Sequence, residues 1–278
     1  MSNSKERVGI VGVGRMGLAM VKHLVRSAYP VTACDIDPGN LGKARDMGAT
    51  VAATPAELGK AVDFVILGVG YDDEVNQVVL GSDGLHQTLA AASVIAVSST
   101  VSPDTVKALE DQFRGRGIDV LDAPICRGRW YADQGKLLAL FGGKDNVVER
   151  SRPIYAAFCS DIVHLGEVGH GQVGKAMNNL LLWINSIGLI EAGRIAETTG
   201  IDMAKLRQAL MMSSGKSQAL EDWEQTSFTW ALKDMQIVSR MTDKAGLALP
   251  LTGAVKELVK EARRTKAANP PDWSGKPG

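Results

Sequence analysis

Apolar residues follow two different rhythms along this chain. In the first half, short runs of apolar and mostly β-branched residues recur at 7–11, 31–34, 64–67, 94–97, 119–121, 137–141 and 162–165, with amphipathic stretches between most of them. Short runs without polar alternation suit strands buried on both faces, and intervening helices make such strands parallel. From Gly166 the spacing changes to three and four: Val173, Met177, Leu180, Ile184, Ile187, Ala192, Ile195 and Ala196 would line one face of a helix that meets no proline before Gly200. Asp202 then offers a cap for a helix through Leu206, Leu210 and Met211, a glycine-containing break follows at 213–217, and further helices are expected over 231–241 and 251–264. The tail from Lys266, with Asn269-Pro270-Pro271, is expected to be extended. The pattern thus predicts an α/β domain over residues 1–165, with a doubly wound and mostly parallel sheet, and an all-α domain over 166–278 built on a long interdomain helix.

The first strand runs straight into Gly12-Val13-Gly14-Arg15-Met16-Gly17 and then an amphipathic helix over 18–26. Strand, tight turn and helix in that order form the phosphate cradle of a Rossmann dinucleotide site. Gly12 would turn the chain, Gly14 would admit a pyrophosphate, and Gly17 would let helix and strand pack closely. The second strand ends at Asp35, about twenty residues on, where a carboxylate can accept from a ribose diol. Ile36 and Asp37 follow, with no arginine to pair with a 2′-phosphate, so NAD is favoured over NADP. Val69 and Thr100 fall at the carboxyl ends of later strands, where ligands of such sheets lie. Spacing alone leaves Thr100 evenly balanced between a nicotinamide contact and the start of a turn before Pro103.

Composition narrows the class without adding chemistry. The 278 residues are long for one core and comfortable for two. Lysine plus arginine and aspartate plus glutamate both number 31, so no net charge favours nucleic acid or an anionic membrane. Small molecules and further copies of the chain are the expected partners. Cys34, Cys126 and Cys159 are an odd set without metal-ligand spacing, and four scattered histidines add no cluster, so no metal is expected. The first residues, 1–7, are polar and lack a signal-peptide core, and the apolar run 180–190 is broken by Asn185 and Ser186. A cytoplasmic protein with reduced thiols is the expectation.

Lys175 and Asn179 stand one turn apart near the start of the long helix, behind glycines at 166, 169, 171 and 174 that would let a backbone or a ligand come close. A lysine whose pKa is lowered by partial burial or a nearby cation can exchange a proton, and an asparagine can orient a substrate. On these grounds alone a solvated lysine is the commoner reading.

Further support comes from Asp122-Ala-Pro-Ile-Cys-Arg-Gly-Arg-Trp-Tyr-Ala132. With the 12–17 turn, the 169–179 segment and Lys233-Asp234, it makes four motifs whose order and spacing resemble the β-hydroxyacid dehydrogenase family, across nearly the whole chain. The resemblance implies a two-domain, nicotinamide-dependent enzyme, assembled as a homodimer or homotetramer, that interconverts a small anionic hydroxy acid and its oxo acid or semialdehyde. It implies Lys175 as general acid/base, Asn179 with its neighbour Asn178 at the substrate, Lys233 close to cofactor and active site, and Val69 and Thr100 beside the nicotinamide half. Without it, Lys233-Asp234 would read as an exposed ion pair. The family usually carries Ser-Gly-Gly where this chain has Cys126-Arg127-Gly128, a loop that would hold the substrate acid group. A thiol is the poorer donor. Arg127 offers a cationic fork, and members that reduce sulfolactaldehyde are similar in placing an arginine here; the equally weighted alternative is that Arg127 and Arg129 point to solvent or pair with acids. Two rival functions remain at this level: another reductase on the same scaffold, for a sulfonated aldehyde or an imine, and a catalytically silent dinucleotide-binding module.

Overall fold

The computed structural model describes residues 5–274, so the readings of residues 1–4 and of the tail beyond 274 lie outside the described residues. Six strands form one parallel sheet: β1 (Val8–Val11), β2 (Val31–Cys34), β3 (Thr50–Val51), β4 (Phe64–Leu67), β5 (Val94–Val97) and β6 (Asp119–Asp122), in the order β3-β2-β1-β4-β5-β6. The order reverses between β1 and β4, and ligands of such sheets bind at the carboxyl edge of that point. β1, β4 and β5 are buried at every residue, which explains their unbroken apolar runs. The helices between them are α1 (Arg15–Arg26), α2 (Pro38–Asp46), α3 (Pro55–Ala61), α4 (Asp72–Leu80) and α5 (Pro103–Phe113). Their starts follow local rules. Asp37, Thr54 and Ser102 each accept a backbone N–H of the first turn, and proline follows each at the first helical position.

A second sheet was not legible in the sequence. β7 (Ile125–Cys126) runs antiparallel to β8 (Leu137–Phe141), which pairs in parallel with β9 (Cys159–His164). α6 (Gly128–Asp133) and α7 (Asp145–Tyr155) connect these strands. The two sheets meet where Asp122 and Gly142 exchange backbone hydrogen bonds of 2.9 and 2.8 Å. β9 starts three residues before the expected 162, because Ser160 and Asp161 are exposed edge residues without an apolar signature.

The long helix α8 (His170–Glu197) has 28 residues. Contacts divide the chain into two compact units between Lys175 and Ala176, inside this helix. The second unit holds α9 (Met203–Met211), α10 (Gln218–Glu221), α11 (Ala231–Ala245) and α12 (Pro250–Ala268), with no strand among its described residues. Its core joins Trp183, Ile187 and Ile190 to Trp223, Met235, Val255, Val259 and Trp273. Two sequence expectations need correction here. Met177, Ala192 and Ile195 are exposed rather than on the buried face, since a helix apolar nearly all round does not reveal which stripe packs inward. The tail is not extended from Lys266: α12 continues to Ala268 and stops only before the Asn269-Pro270-Pro271 run, after which Trp273 is fully buried.

Candidate active site

The turn after β1 has the shape of a phosphate cradle. Gly12 adopts φ +87°, and a Cβ there would lie 2.8 Å from the Gly68 backbone and 2.9 Å from Cγ1 of Val69. A Cβ on Gly17 would lie 2.2 Å from the carbonyl oxygen of Gly12, so turn and helix touch backbone to backbone. Around Gly14, by contrast, a Cβ would meet nothing within 4 Å. α1 begins with no side-chain cap and no acid in its first turn, leaving its positive end for an anion. Arg15, exposed at its first residue, lies 3.4 Å from the carboxylate of Asp133 in α6, and Met16 packs against the core of the first unit.

At the end of β2, both carboxylate oxygens of Asp35 accept backbone donors, from Val13 at 2.7 Å and from Asp37 at 2.8 Å. These bonds tie the acid to the turn and fix its remaining lone pairs beside it. Ile36 is fully exposed and Asp37 is committed to capping α2. Thr100 is partly buried just beyond β5. Open space at Gly14, an uncapped helix and an anchored acid together fit a dinucleotide.

Lys175, on the second turn of α8, brings the helix motif to the loop motif. Its Nζ stands 3.8 Å from Sγ of Cys126, a buried residue of β7. The glycines before it serve protein packing: a Cβ on Gly171 would lie 2.5 Å from the carbonyl oxygen of Leu140 in β8. Asn179 is buried one turn later, and its Oδ1 accepts from Nδ2 of Asn178 at 3.0 Å.

Arg127 is engaged elsewhere. It donates to Asp161 at 2.6 Å, Ser160 at 2.9 Å and the Lys136 carbonyl at 3.1 Å, all on β9 or the approach to β8. Its hydrogen bond, followed by that of Ser160, holds the Asp161 carboxyl below the usual carboxylate range. Arg127 also has φ +84° and Gly128 φ +75°, a left-handed pair that suits glycine at both positions. Arg127→Gly should therefore exchange an exposed ion pair for relief of backbone strain, leaving stability within about 1 kcal/mol. Turnover and substrate KM should stay within threefold. Thermal unfolding and steady-state kinetics check this, and a tenfold rise in KM would place the guanidinium on the substrate.

Asp122 and Gln172 form a buried pair beside Lys175 that sequence reading missed. Asp122 closes β6 and is fully buried, accepting from the Gln172 N–H at 2.9 Å, while its Oδ1 has no hydrogen-bond partner among the described residues. Burial pushes its carboxyl up to about 7, against the pull of donors at Gln172, Gly169 and Gly171. In the unfolded chain this carboxyl titrates near its ordinary value, so between about pH 4 and 7 the native state holds the extra proton. The associated stability is complete below that window and is lost as pH rises through about 7. The unfolding free energy measured in urea should accordingly fall by up to a few kcal/mol between about pH 5 and 8 in the native sequence. Asp122→Asn should flatten that dependence; parallel curves would refute it.

The second unit holds Lys233, whose Nζ lies 5.5 Å over the Trp230 ring. Asp234, which without the family would read as half of an exposed ion pair, is buried and accepts from Nε1 of Trp183 at 3.0 Å. Among the described residues no group of acids, cysteines and histidines could hold a metal, and no helix is long and apolar enough to cross a membrane.

Fold and turn define a pyridine-nucleotide-binding protein. Residues 7–166 match the NAD binding domain of 6-phosphogluconate dehydrogenase, and residues 169–272 match the NAD-binding region of NADP-dependent 3-hydroxyisobutyrate dehydrogenase. The chain is 31% identical over 268 residues to the probable 3-hydroxyisobutyrate dehydrogenase-like 2, mitochondrial, of Arabidopsis thaliana, covering 92% of this chain and 87% of that one. It is 30% identical to the NAD-dependent L-serine dehydrogenase of Pseudomonas aeruginosa, over 78% of this chain and 72% of that one. Against the mitochondrial 3-hydroxyisobutyrate dehydrogenase of Rattus norvegicus the identity is 32% over 77% of this chain, which spans 64% of the rat protein. The chain belongs to the β-hydroxyacid dehydrogenase family. Its fold is that of Mycobacterium tuberculosis 3-hydroxyisobutyrate dehydrogenase solved with L-serine (TM-score 0.84, 22% identity, 98% and 97% of the two chains). The same fold serves an imine reductase from Myxococcus stipitatus in complex with NAD+ (TM-score 0.69, 20% identity, 98% of each chain), so the reaction has to be read from the site.

Proposed function

We propose that this chain is an NAD-dependent dehydrogenase that interconverts a small anionic hydroxy acid and its oxo acid or semialdehyde. The observation that carries the reading is the approach of Lys175 to Cys126, which joins the helix motif and the loop motif at one place. When bound, the nicotinamide supplies the hydride acceptor or donor. The uncapped start of α1 and the turn from Gly12 to Gly17 receive its pyrophosphate, and Asp35 accepts from the ribose. The carboxylates of Asp35 and Asp37 disfavour a 2′-phosphate, which supports NAD over NADP. Lys175 Nζ takes the substrate hydroxyl proton during oxidation and returns it during reduction. The loop from Cys126 to Gly128 receives the acid group through its backbone donors, and Asn178 steadies the amide of Asn179 one turn beyond Lys175.

Relatives named for 3-hydroxyisobutyrate and L-serine point to a 3-hydroxy acid as the first compound to try. NADH absorbance followed with a panel of hydroxy acids, semialdehydes and sulfonated analogues, using both cofactors, tests the reading. Turnover of a 3-hydroxy acid with NAD is the expected result. Turnover of imines alone, or NADH binding with silence across the panel, would overturn it.

A further inference from the structure

Gln172 is almost fully buried and makes three hydrogen bonds outside its own helix, to the ends of two strands. Its backbone N–H goes to Asp122 at the end of β6. Its side-chain Oε1 accepts from the Val101 N–H at 3.1 Å, and its Nε2 donates to the Ser99 carbonyl at 2.8 Å. One amide group therefore grips the backbone on both sides of Thr100, the residue that follows Ser99 at the end of β5. Three positions further along α8 stands Lys175, on the same side of the helix.

We infer that Gln172 is a positioning residue that sets the distance between Lys175 and the Thr100 segment, and so between the proton-transfer group and the nicotinamide. The inference rests on the dehydrogenase reading above. Hydride and proton move to or from adjacent atoms of one substrate, so their two protein supports must be held in register, and small misplacement is costly to rate. A bridge with one donor and one acceptor on a planar group does this for both peptide planes at Thr100 at once. Asp122 holds the other end by fixing the first turn of α8 against β6. Neither Gln172 nor Asp122 needs to touch substrate or cofactor for this role.

The test uses the full chain and its Gln172→Ala and Gln172→Glu variants, assayed in the direction of reduction beside the native sequence and Lys175→Ala. Gln172→Ala should lower kcat by about ten- to a hundredfold. NADH Kd should stay within threefold, because the turn at Gly12 and Asp35 is untouched. A deuterium label on the transferred hydride should give a larger isotope effect than in the native enzyme. Gln172→Glu has a donor for Ser99 only while its carboxyl is protonated. Its kcat relative to the native enzyme should therefore rise as pH falls, which a purely structural role would not produce. A ratio flat with pH together with an unchanged isotope effect, or loss of NADH affinity in step with kcat, would overturn the inference. If Gln172→Ala fails to fold, the pH ratio of Gln172→Glu decides alone, and failure of both to fold assigns Gln172 to the core and overturns it. The parent reading fails separately, through an inactive native chain or a fully active Lys175→Ala, and the inference then falls with it.

Discussion

Lys175→Ala is expected to lower turnover by about 10²- to 10⁴-fold, the usual contribution of a positioned acid or base. NADH Kd should remain within threefold of the native value, because the cofactor turn joins β1 to α1 and Asp35 follows β2, all apart from α8 in sequence. Stability should change by less than about 1 kcal/mol, since Lys175 is partly exposed and its described contact is a 3.8 Å approach to a thiol. Lys175→Arg should be nearly as damaging as alanine, because a guanidinium keeps its proton at any pH the protein survives. Kinetics and NADH fluorescence titration on the same preparations separate the outcomes. Full turnover in either variant would remove the lysine from the mechanism.

The second large effect concerns the turn. Gly17→Ala places a methyl 2.2 Å from the Gly12 carbonyl, a backbone atom that cannot swing aside. Prying helix from strand should cost roughly 1–3 kcal/mol, the scale of an overpacked core, and should weaken NADH binding by more than a hundredfold. Gly14→Ala makes the informative contrast. Its Cβ meets no protein atom within 4 Å and its φ of −62° suits alanine, so stability should hold within about 1 kcal/mol. NADH affinity should nevertheless fall, because the methyl would occupy space reserved for the pyrophosphate. Urea unfolding and NADH titration of both variants would show the expected split. Equal affinity losses without a stability difference would mean that the two glycines do the same job.

Much of this architecture is legible in the residues alone. Strands 31–34, 64–67, 94–97 and 137–141 carry apolar runs that end where the chain turns, and all four strands have those limits. Asp202 stands where a cap was expected and accepts from the Lys205 N–H. What escaped was set by packing between segments distant in sequence. β7 is two residues long and pairs with a strand twelve residues later, which no local pattern announces. Lys175 was visible through motif spacing, but its approach to Cys126 depends on α8 crossing β8 at Gly171. Gln172 shares a face with Lys175 at a spacing of three, a signal that was present. Its meaning appeared only when Ser99 and Val101 proved to lie beside it. Arg127 could have gone either way from sequence, and Asp161 on β9 supplies the acid partner.

Hydride transfer from a substrate carbon is the claim on which the rest stands. A 3-hydroxy acid bearing deuterium on its hydroxyl-bearing carbon, incubated with the protein and NAD, should yield NADH one mass unit heavier. The same incubation with Lys175→Ala should reduce the cofactor at least about a hundredfold more slowly. Unlabelled NADH from the deuterated acid, or labelled NADH at an undiminished rate from the variant, would contradict the account.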